Sequence, residues 1–203
     1  MKKYAVLHEP GDIVTLAGTR FVVLDVERRG SLPDSLFLLA LESVGASEFG
    51  SSNNYAESDL KKAVDKWLED MGKRGLDNAK LIPREIDLTT LDGSGCYGKL
   101  SVKAAPLTLD EAREYADIIP NAERWCWLAT GWSGPSKSDG DLALCVNSDG
   151  GWNLSNCSVS RGIRPALKIP SDLLLDSADK PDLSEVPTDT LLEEIRRRVV
   201  DKA

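Results

Sequence analysis

The chain has 203 residues, of which 41% are hydrophobic, and this is enough for one domain of ordinary size with an appendage. Its 25 basic and 33 acidic residues give a net charge of −8, which argues against general nucleic-acid binding and against binding to an anionic membrane surface. No apolar run approaches the roughly 18 residues of a membrane span, and no signal peptide is recognisable. We therefore predict a protein that is cytoplasmic when made, with association to a virion as a further expectation.

The first forty residues are predicted to form strands. Residues 12–16 and 20–26 flank a turn at residues 17–19, and this spacing is typical of a β-hairpin. The continuous apolar run at residues 21–24 indicates a strand that is buried on both faces, and residues 36–41 form another buried strand.

A loop over residues 43–55 precedes the first predicted helix. Ser58 has the side chain of a good N-cap, and Gly72 fits the left-handed position after the helix. Six apolar residues at helical spacing form one buried face: Leu60, Ala63, Val64, Trp67, Leu68 and Met71.

The middle of the chain contains one ambiguous segment and one glycine-rich loop. Pro83 argues against a central strand over residues 80–90, because proline cannot donate to a strand ladder. Residues 91–98 lack the Lys-Ser/Thr pair of a phosphate-binding loop, so we expect a flexible loop or the edge of a ligand site.

A second helix is predicted to begin after Thr108 and to end at Pro120. Thr108 and Glu111 have the spacing of a capping box, in which each side chain bonds the other residue's backbone N–H. The predicted inner face consists of Leu109, Ala112, Tyr115, Ala116 and Ile119.

The next segment is rich in tryptophan and in turn residues. It contains four of the five tryptophans, which are Trp125, Trp127, Trp132 and Trp152. Strands are predicted over residues 125–129, 142–147, 152–154 and 163–169, and the dipeptide Asp149-Gly150 is a strong hairpin signal. This order of elements predicts an α+β protein with antiparallel strands, two main helices and long loops.

The C-terminal part is predicted to lie outside the domain of residues 1–170. Residues 171–187 have the composition of an acidic linker, and residues 188–203 contain an amphipathic helix with a capping box at Thr190 and Glu193. A helix of about a dozen residues is marginal alone in water. It would therefore dock on the body of the protein, on a second copy or on a partner.

The cysteines and the single histidine do not predict a cofactor or a metal site. Cys96, Cys126, Cys145 and Cys157 include no pair with CxxC spacing, and His8 has no accompanying nucleophile motif. Free thiols are the leading interpretation, and a disulfide among Cys126, Cys145 and Cys157 remains the alternative.

Several motifs carry a resemblance to a known family. They are the hairpin from Gly11 to Val26, the helix start with Asn53, Tyr55, Ser58 and Leu60, the helix of residues 107–115, the Trp-rich strand, and the Gly-Ile-Arg-Pro-Ala-Leu strand of residues 162–167. Over about residues 10–170, the chain resembles an uncharacterised domain family of phages and prophages of Gram-positive gut bacteria.

This resemblance implies a C-type-lectin-like fold in the broad sense, which is shared with formylglycine-generating enzymes and with phage receptor-binding proteins. It also implies a binding surface formed by loops between the late strands. The chain departs from calcium-dependent lectins, because Leu154 follows Trp152 and Asn153 where those lectins have a carboxylate. The enzyme relatives use a cysteine pair, and Cys145 and Cys157 lie in a comparable late region of this chain, which leaves oxidase chemistry as an alternative.

The candidate ligand site lies in these late loops. Exposed tryptophan offers a large contact area, and small polar residues offer adaptable hydrogen bonds. The predicted site residues are Trp132, Ser133, Lys137, Asp139, Asp149, Trp152, Asn153 and Asn156. Trp125 and Trp127 are expected in the core, Trp132 is expected to be exposed, and Arg164 is expected to pair with a carboxylate.

The sequence thus predicts a non-enzymatic phage- or prophage-associated module that binds a surface ligand, protein or glycan, or that forms part of a virion. The expected partners also include a second copy, through the C-terminal helix, but no nucleic acid and no membrane. The alternatives are a small oxidative or hydrolytic enzyme of the same fold and a purely structural, self-associating protein.

Overall fold

A computed structural model describes residues 2–5, 8–29, 32–135 and 139–177. In chain order the strands are β1 (Lys2–Tyr4), β2 (Ile13–Leu16), β3 (Thr19–Arg29), β4 (Leu32–Ala40), β5 (Ala46–Ser47), β6 (Arg84–Asp87), β7 (Lys99–Val102), β8 (Ala104–Ala105), β9 (Cys126–Gly131), β10 (Leu142–Val146), β11 (Trp152–Asn156), β12 (Arg161–Gly162), β13 (Ala166–Pro170) and β14 (Leu174–Ser177). The α-helices are α1 (Asp59–Lys73) and α2 (Leu109–Glu114). The predicted α+β class is confirmed.

The largest sheet in the described part of the chain has seven strands in the order β1-β14-β2-β3-β4-β13-β8. All of its neighbouring strands are antiparallel. Lys2 pairs with Asp176, so the first and last described strands lie side by side.

The β2–β3 hairpin is present, but its turn is shorter than predicted. Leu16 pairs with Thr19, which leaves the two-residue turn Ala17-Gly18 in place of the predicted three residues. Both residues have positive φ angles, 47° and 76°, as a two-residue turn that follows the twist of the strands requires.

Strand β3 is buried on both faces, as its apolar run predicts. Phe21 and Val23 belong to one hydrophobic cluster, which also contains Leu60 and Val64 of α1. The alternate residues Val22 and Leu24 belong to a second cluster, which includes Leu109 and Ala112 of α2. The two helices therefore pack against opposite faces of the seven-stranded sheet.

Helix α1 begins as predicted and ends later. The Ser58 hydroxyl accepts a hydrogen bond from the Lys61 N–H, so Ser58 is the N-cap. The prediction for Gly72 is wrong: the helix continues to Lys73, and the positive φ of 101° is at Gly75. Of the two glycines near the end of α1, the second therefore takes the left-handed conformation.

Helix α2 has the predicted capping box but is shorter than predicted. The Thr108 hydroxyl accepts from the Glu111 N–H, and a Glu111 carboxylate oxygen accepts from the Thr108 N–H. Helical geometry ends at Glu114, and a turn follows in which the Ile118 N–H bonds to the Tyr115 carbonyl. This tighter turn carries Tyr115 against Phe37, with their ring centroids 5.7 Å apart.

A five-stranded sheet holds the late part of the chain, in the order β11-β10-β9-β12-β5. Its pairs are antiparallel except β12 and β9, which are parallel where Gly162 faces Cys126. Strands β6 and β7 form a separate pair, and β6 begins directly after Pro83, at a position that proline tolerates.

The sheet continues into the segment predicted as a linker. Strand β14 lies between β1 and β2, so residues 174–177 belong to the seven-stranded sheet and not to a linker. The predicted C-terminal helix at residues 188–203 lies outside the described residues and stays a prediction. Among the described residues, no helix has the length and apolarity needed to cross a membrane.

Candidate functional site

The β10–β11 hairpin carries the most exposed of the predicted site residues at its tip. Trp152, at the start of β11, keeps 47% of its surface exposed. Asp149 is exposed in the turn before it, where its carboxylate accepts a hydrogen bond from the Gly151 N–H. Asn153 is also exposed, on the opposite face of β11 from Trp152.

The hairpin tip lies against the segment that precedes β9. A Cβ atom on Gly150 would come within 2.7 Å of the Asn121 Oδ1 atom, so the absence of a side chain permits this close approach. Gly150 also has a positive φ of 86°, which favours glycine in the turn. We call the surface of Asn121, Asp149, Gly150 and Trp152 the tip surface.

The Trp152 ring is held at the tip surface from one side. The Arg113 guanidinium of α2 lies 5.2 Å from its ring centroid, which is a cation–π distance. Trp152 also lines a small pocket of about 80 Å³, together with Ile119, Pro120 and Val146 among others. Trp152 is therefore a supported aromatic side chain that still offers free surface.

Other predicted site residues lie at the opposite end of the same hairpin. Asn156 pairs with Leu142, whose carbonyl accepts a hydrogen bond from the Trp132 N–H. Four residues separate this end of β10 from the tip, or about 13 Å at about 3.3 Å per residue. The structure therefore divides the predicted site into two groups, with Trp132 and Asn156 away from Trp152.

Several side chains differ from the prediction of a single exposed surface. Ser133 is buried and 2% exposed, so it does not offer its hydroxyl to a ligand. The Asn156 amide is engaged by Asp141 at 2.8 Å. Trp132 is half-buried, not exposed, and Asp139 is half-buried. Lys137 lies outside the described residues.

Ser133 is buried because Asn53 fixes its loop. The Asn53 side chain donates to the Ser133 carbonyl at 2.9 Å and to the Leu142 carbonyl at 3.0 Å, and it accepts from the Tyr97 hydroxyl at 2.7 Å. A Cβ on Gly131 would lie 2.8 Å from this amide. Asn53 therefore joins three loops.

Trp125 and Trp127 were both expected in the core, and the structure buries them to different degrees. Trp127 is buried and donates its indole N–H to the Ser47 carbonyl at 2.9 Å, so its predicted place in the core is confirmed. Trp125 is only half-buried. The Arg161 guanidinium lies 4.6 Å from the Trp125 ring centroid.

The Trp125–Arg161 pair lines a cleft of about 480 Å³ next to the tip surface. We call this the Trp125 cleft; its lining residues are Ala46, Glu123, Arg124, Trp125, Ser148, Ser160, Arg161 and Gly162. Ser148 belongs to the β10–β11 turn, so the cleft and the tip surface share one end of the five-stranded sheet. The sequence did not predict the cleft, because the parallel pairing of β12 with β9 brings together residues 36 positions apart.

Arg164 is buried, and among the described residues it does not have the carboxylate partner that the sequence predicted. Its Nε donates to the Ala40 carbonyl at 3.0 Å and its Nη1 to the Pro120 carbonyl at 3.1 Å. Burial lowers the pKa of its guanidinium, and the neighbouring Cys126 opposes this shift. The extended backbone before Pro165 places Arg164 at the junction of the sheets, where main-chain carbonyls are the available acceptors.

The cysteine geometry does not fit paired thiol chemistry. Cys157 lies opposite Asp141, because it donates its N–H to the Asp141 carbonyl. Cys145 is four residues after Asp141 along the chain, so it lies about 13 Å from Cys157 at about 3.3 Å per residue. This exceeds the Cα separation of a disulfide. All four cysteines are free, and burial raises the pKa of Cys145 to about 11 and of Cys157 to about 12.

Within the residues that the structure describes, no group of three or more His, Cys, Asp and Glu side chains could hold a metal ion. His8 is buried, and its Nδ1 lies 3.2 Å from an Asp12 carboxylate oxygen in the loop before β2. This places the histidine in the seven-stranded part of the fold, not at the late loops.

Comparison of the chain with protein-family models, with curated proteins and with solved structures gives no match.

Proposed function

We propose that this protein is a non-enzymatic binding module whose tip surface recognises a ligand on a surface, either a glycan or a protein. The observation that carries the proposal is the exposure of Trp152, which is supported by Arg113 and preceded in the turn by the exposed Asp149. A rigid aromatic residue among small polar ones provides contact area at a low entropic cost. Such residues are enriched among those that dominate binding energy.

We also propose that the fold is C-type-lectin-like and that the protein is encoded by a phage or prophage and associated with its virion. Support for the fold comes from the antiparallel sheets, the two helices and the pairing of the first and last described strands. Support for the phage association comes from the motif resemblance alone. Assembly through the predicted C-terminal helix is part of the same proposal.

The oxidative alternative receives no support from the cysteines. A thiol acts as a metal ligand or nucleophile in its thiolate form, and the raised pKa values of Cys145 and Cys157 keep both protonated near neutral pH. Their separation along the β10–β11 hairpin also prevents them from sharing one metal ion.

The proposal is tested by the binding of the fluorescently labelled full chain to intact Gram-positive gut bacteria, measured by flow cytometry. We expect saturable binding that is weakened about 30-fold by Trp152→Ala, which corresponds to about 2 kcal/mol at a dominant contact residue. Val159→Ala is the matched control, because Val159 is another exposed apolar residue (38%) beyond the far end of β11.

Treatment of the cells identifies the class of ligand. Loss of binding after protease digestion of the cells indicates a protein, and loss after periodate oxidation indicates a glycan. Absence of saturable binding across the bacterial panel, or equal binding by the Trp152→Ala and Val159→Ala variants, contradicts the proposal.

A further inference from the structure

We infer that the Trp125 cleft is an oxyanion site that holds a phosphate or carboxylate group of the ligand; this inference rests on the proposed function, because it names the chemistry that the same end of the sheet recognises. Two arginines, one tryptophan and two serines are among the residues that line this cleft of about 480 Å³. Guanidinium groups bind carboxylate and phosphate in a two-pronged geometry.

Both arginines are available for a ligand. Neither Arg124 nor Arg161 forms an ion pair with a carboxylate in the described part of the chain. By contrast, Arg20, Arg84 and Arg113 each pair with an acidic residue. Unpaired arginines that share one cleft are notable in a protein with a net charge of −8.

Arg161 is held in one orientation. Its Nε donates to the Ser155 hydroxyl at 3.1 Å, and its guanidinium stacks on the Trp125 ring at 4.6 Å from the centroid. No described residue accepts a hydrogen bond from its two terminal nitrogens. A planar group fixed at its Nε and on one face keeps those two donors for an incoming oxyanion.

Arg124 also lines the cleft and lies next to Gly162. Its Cδ atom would lie 3.0 Å from a Cβ on Gly162, so its stem lies directly over that glycine. Glu123 is the acidic residue among those lining the cleft, and it leaves the lining with one net positive charge. The cleft therefore attracts an anion and disfavours a cation.

The test uses the ¹⁵N-labelled full chain and follows the arginine Nε–Hε signals by NMR. The probes are inorganic phosphate and acetate, each compared with chloride at the same ionic strength. We expect the Arg161 and Arg124 signals to shift saturably with phosphate, with acetate or with both, and the responding probe identifies the group that is held.

Variants separate specific binding from general attraction. Arg161→Lys keeps the charge but loses the two-pronged geometry, and we expect it to weaken binding of the responding anion at least five-fold. Ser155→Ala removes the hydrogen bond that orients Arg161 and should also weaken binding. Arg28→Ala removes an exposed arginine elsewhere and should leave the dissociation constant unchanged.

The inference is overturned if the shifts with phosphate and with acetate do not exceed those with chloride. It is also overturned if the Arg161→Lys and Arg28→Ala variants bind the anion equally well. Cell binding that depends on Trp152 but is accompanied by no anion shift overturns the inference alone. A specific anion shift without binding to any cell supports the site and contradicts the proposed function.

Discussion

Gly162 occupies a position where a side chain has no room. A Cβ atom there would lie 2.8 Å from the Cys126 sulfur and 2.9 Å from the Ser43 hydroxyl, in addition to the nearby stem of Arg124. The glycine thus allows β12 to pair closely with β9, and this pairing brings Arg161 over Trp125. Packing at one residue thereby determines the form of the Trp125 cleft.

We expect Gly162→Ala to lower the free energy of unfolding by about 1–3 kcal/mol, the usual cost of overpacking. Gly45→Ala is the control, since a Cβ on Gly45 meets no atom within 4 Å and its φ is not in the left-handed region. Urea denaturation of both variants measures the difference. Equal stability of the two would show that Cys126 and Ser43 move aside at little cost.

The buried thiols predict a dependence of stability on alkaline pH. Burial raises the pKa of Cys145 from its ordinary value of 9.0 to about 11. Below pH 9 the thiol is protonated in the folded and unfolded chains alike, whereas between pH 9 and 11 only the unfolded chain loses the proton. The contribution of Cys145 to the free energy of unfolding is therefore fully present below pH 9 and decreases as the pH rises towards 11.

Urea denaturation at pH 8, 9 and 10 tests this expectation. Cys145→Ala should reduce the slope of the unfolding free energy against pH above pH 9, and Cys96→Ala should not, because Cys96 is exposed. An unchanged slope in the Cys145 variant would contradict the pKa shift.

Because Cys126, Cys145 and Cys157 are buried and Cys96 is exposed, we also expect Cys96 to react with a thiol reagent in the folded protein before the other three cysteines.

The sequence predicted single residues well where local chemistry decides their role. Ser58 and Thr108 were identified as N-caps, because a capping side chain acts within three residues of its own position. It was wrong for Ser133, whose surroundings depend on a contact with Asn53, 80 positions away. It made no prediction for Arg161, which contacts Trp125, 36 positions away. Composition of a polar loop does not reveal such contacts.

At the scale of elements, Glu111 connects α2 to the β6–β7 pair. Its carboxylate completes the capping box at Thr108 and also binds the Arg84 guanidinium. Arg84 is 3% exposed at its side chain, stacks on Phe37 at 5.2 Å from the ring centroid, and donates to the Ala105 carbonyl at 3.0 Å. A short helix of six residues is thus stabilised mainly by its tertiary contacts.

We expect Glu111→Ala to destabilise the protein by about 3 kcal/mol, because it leaves a buried guanidinium without its carboxylate partner as well as removing a cap. Glu114→Ala, in the same helix but exposed, should cost less than about 0.5 kcal/mol. Thermal or urea unfolding distinguishes the two. A small effect of Glu111→Ala would mean that water replaces the carboxylate at Arg84.

Helix lengths were predicted less well than helix starts. The apolar pattern of residues 109–119 suits a longer helix, yet α2 ends at Glu114. Tyr115 turns away to pack on Phe37, so a tertiary contact outweighs the local helical preference. The end of α1 was predicted too early for a different reason. Gly72 lies in the last turn of the helix, whereas Gly75 is the glycine with the left-handed conformation.

For the whole molecule, the position of β14 defines the end of the described domain. It lies between β1 and β2 and pairs with both, so its removal leaves β1 without a neighbour. The sequence placed the boundary at residue 170, because the acidic and proline-containing composition of residues 171–187 is typical of a linker. Four residues are too few for composition to reveal a strand.

We therefore expect the chain of residues 1–170 to be markedly less stable to urea than the chain of residues 1–177. Light scattering on the full chain and on residues 1–177 then tests the predicted assembly helix without damage to the sheet. A larger mass per particle for the full chain supports assembly through residues 188–203. Equal stability of the two shortened chains would show that β14 contributes little to the seven-stranded sheet.

Arg164 has a consequence for the rate at which a ligand binds. It joins the Ala40 carbonyl at the end of β4 to the Pro120 carbonyl, and Pro120 lies in the segment that supports the tip surface. The segment beneath Trp152 is therefore already fixed before any encounter, and a ligand has little chain freedom to remove. Association should then proceed in one step, with an observed rate that rises in proportion to ligand concentration and shows no plateau from a slow rearrangement.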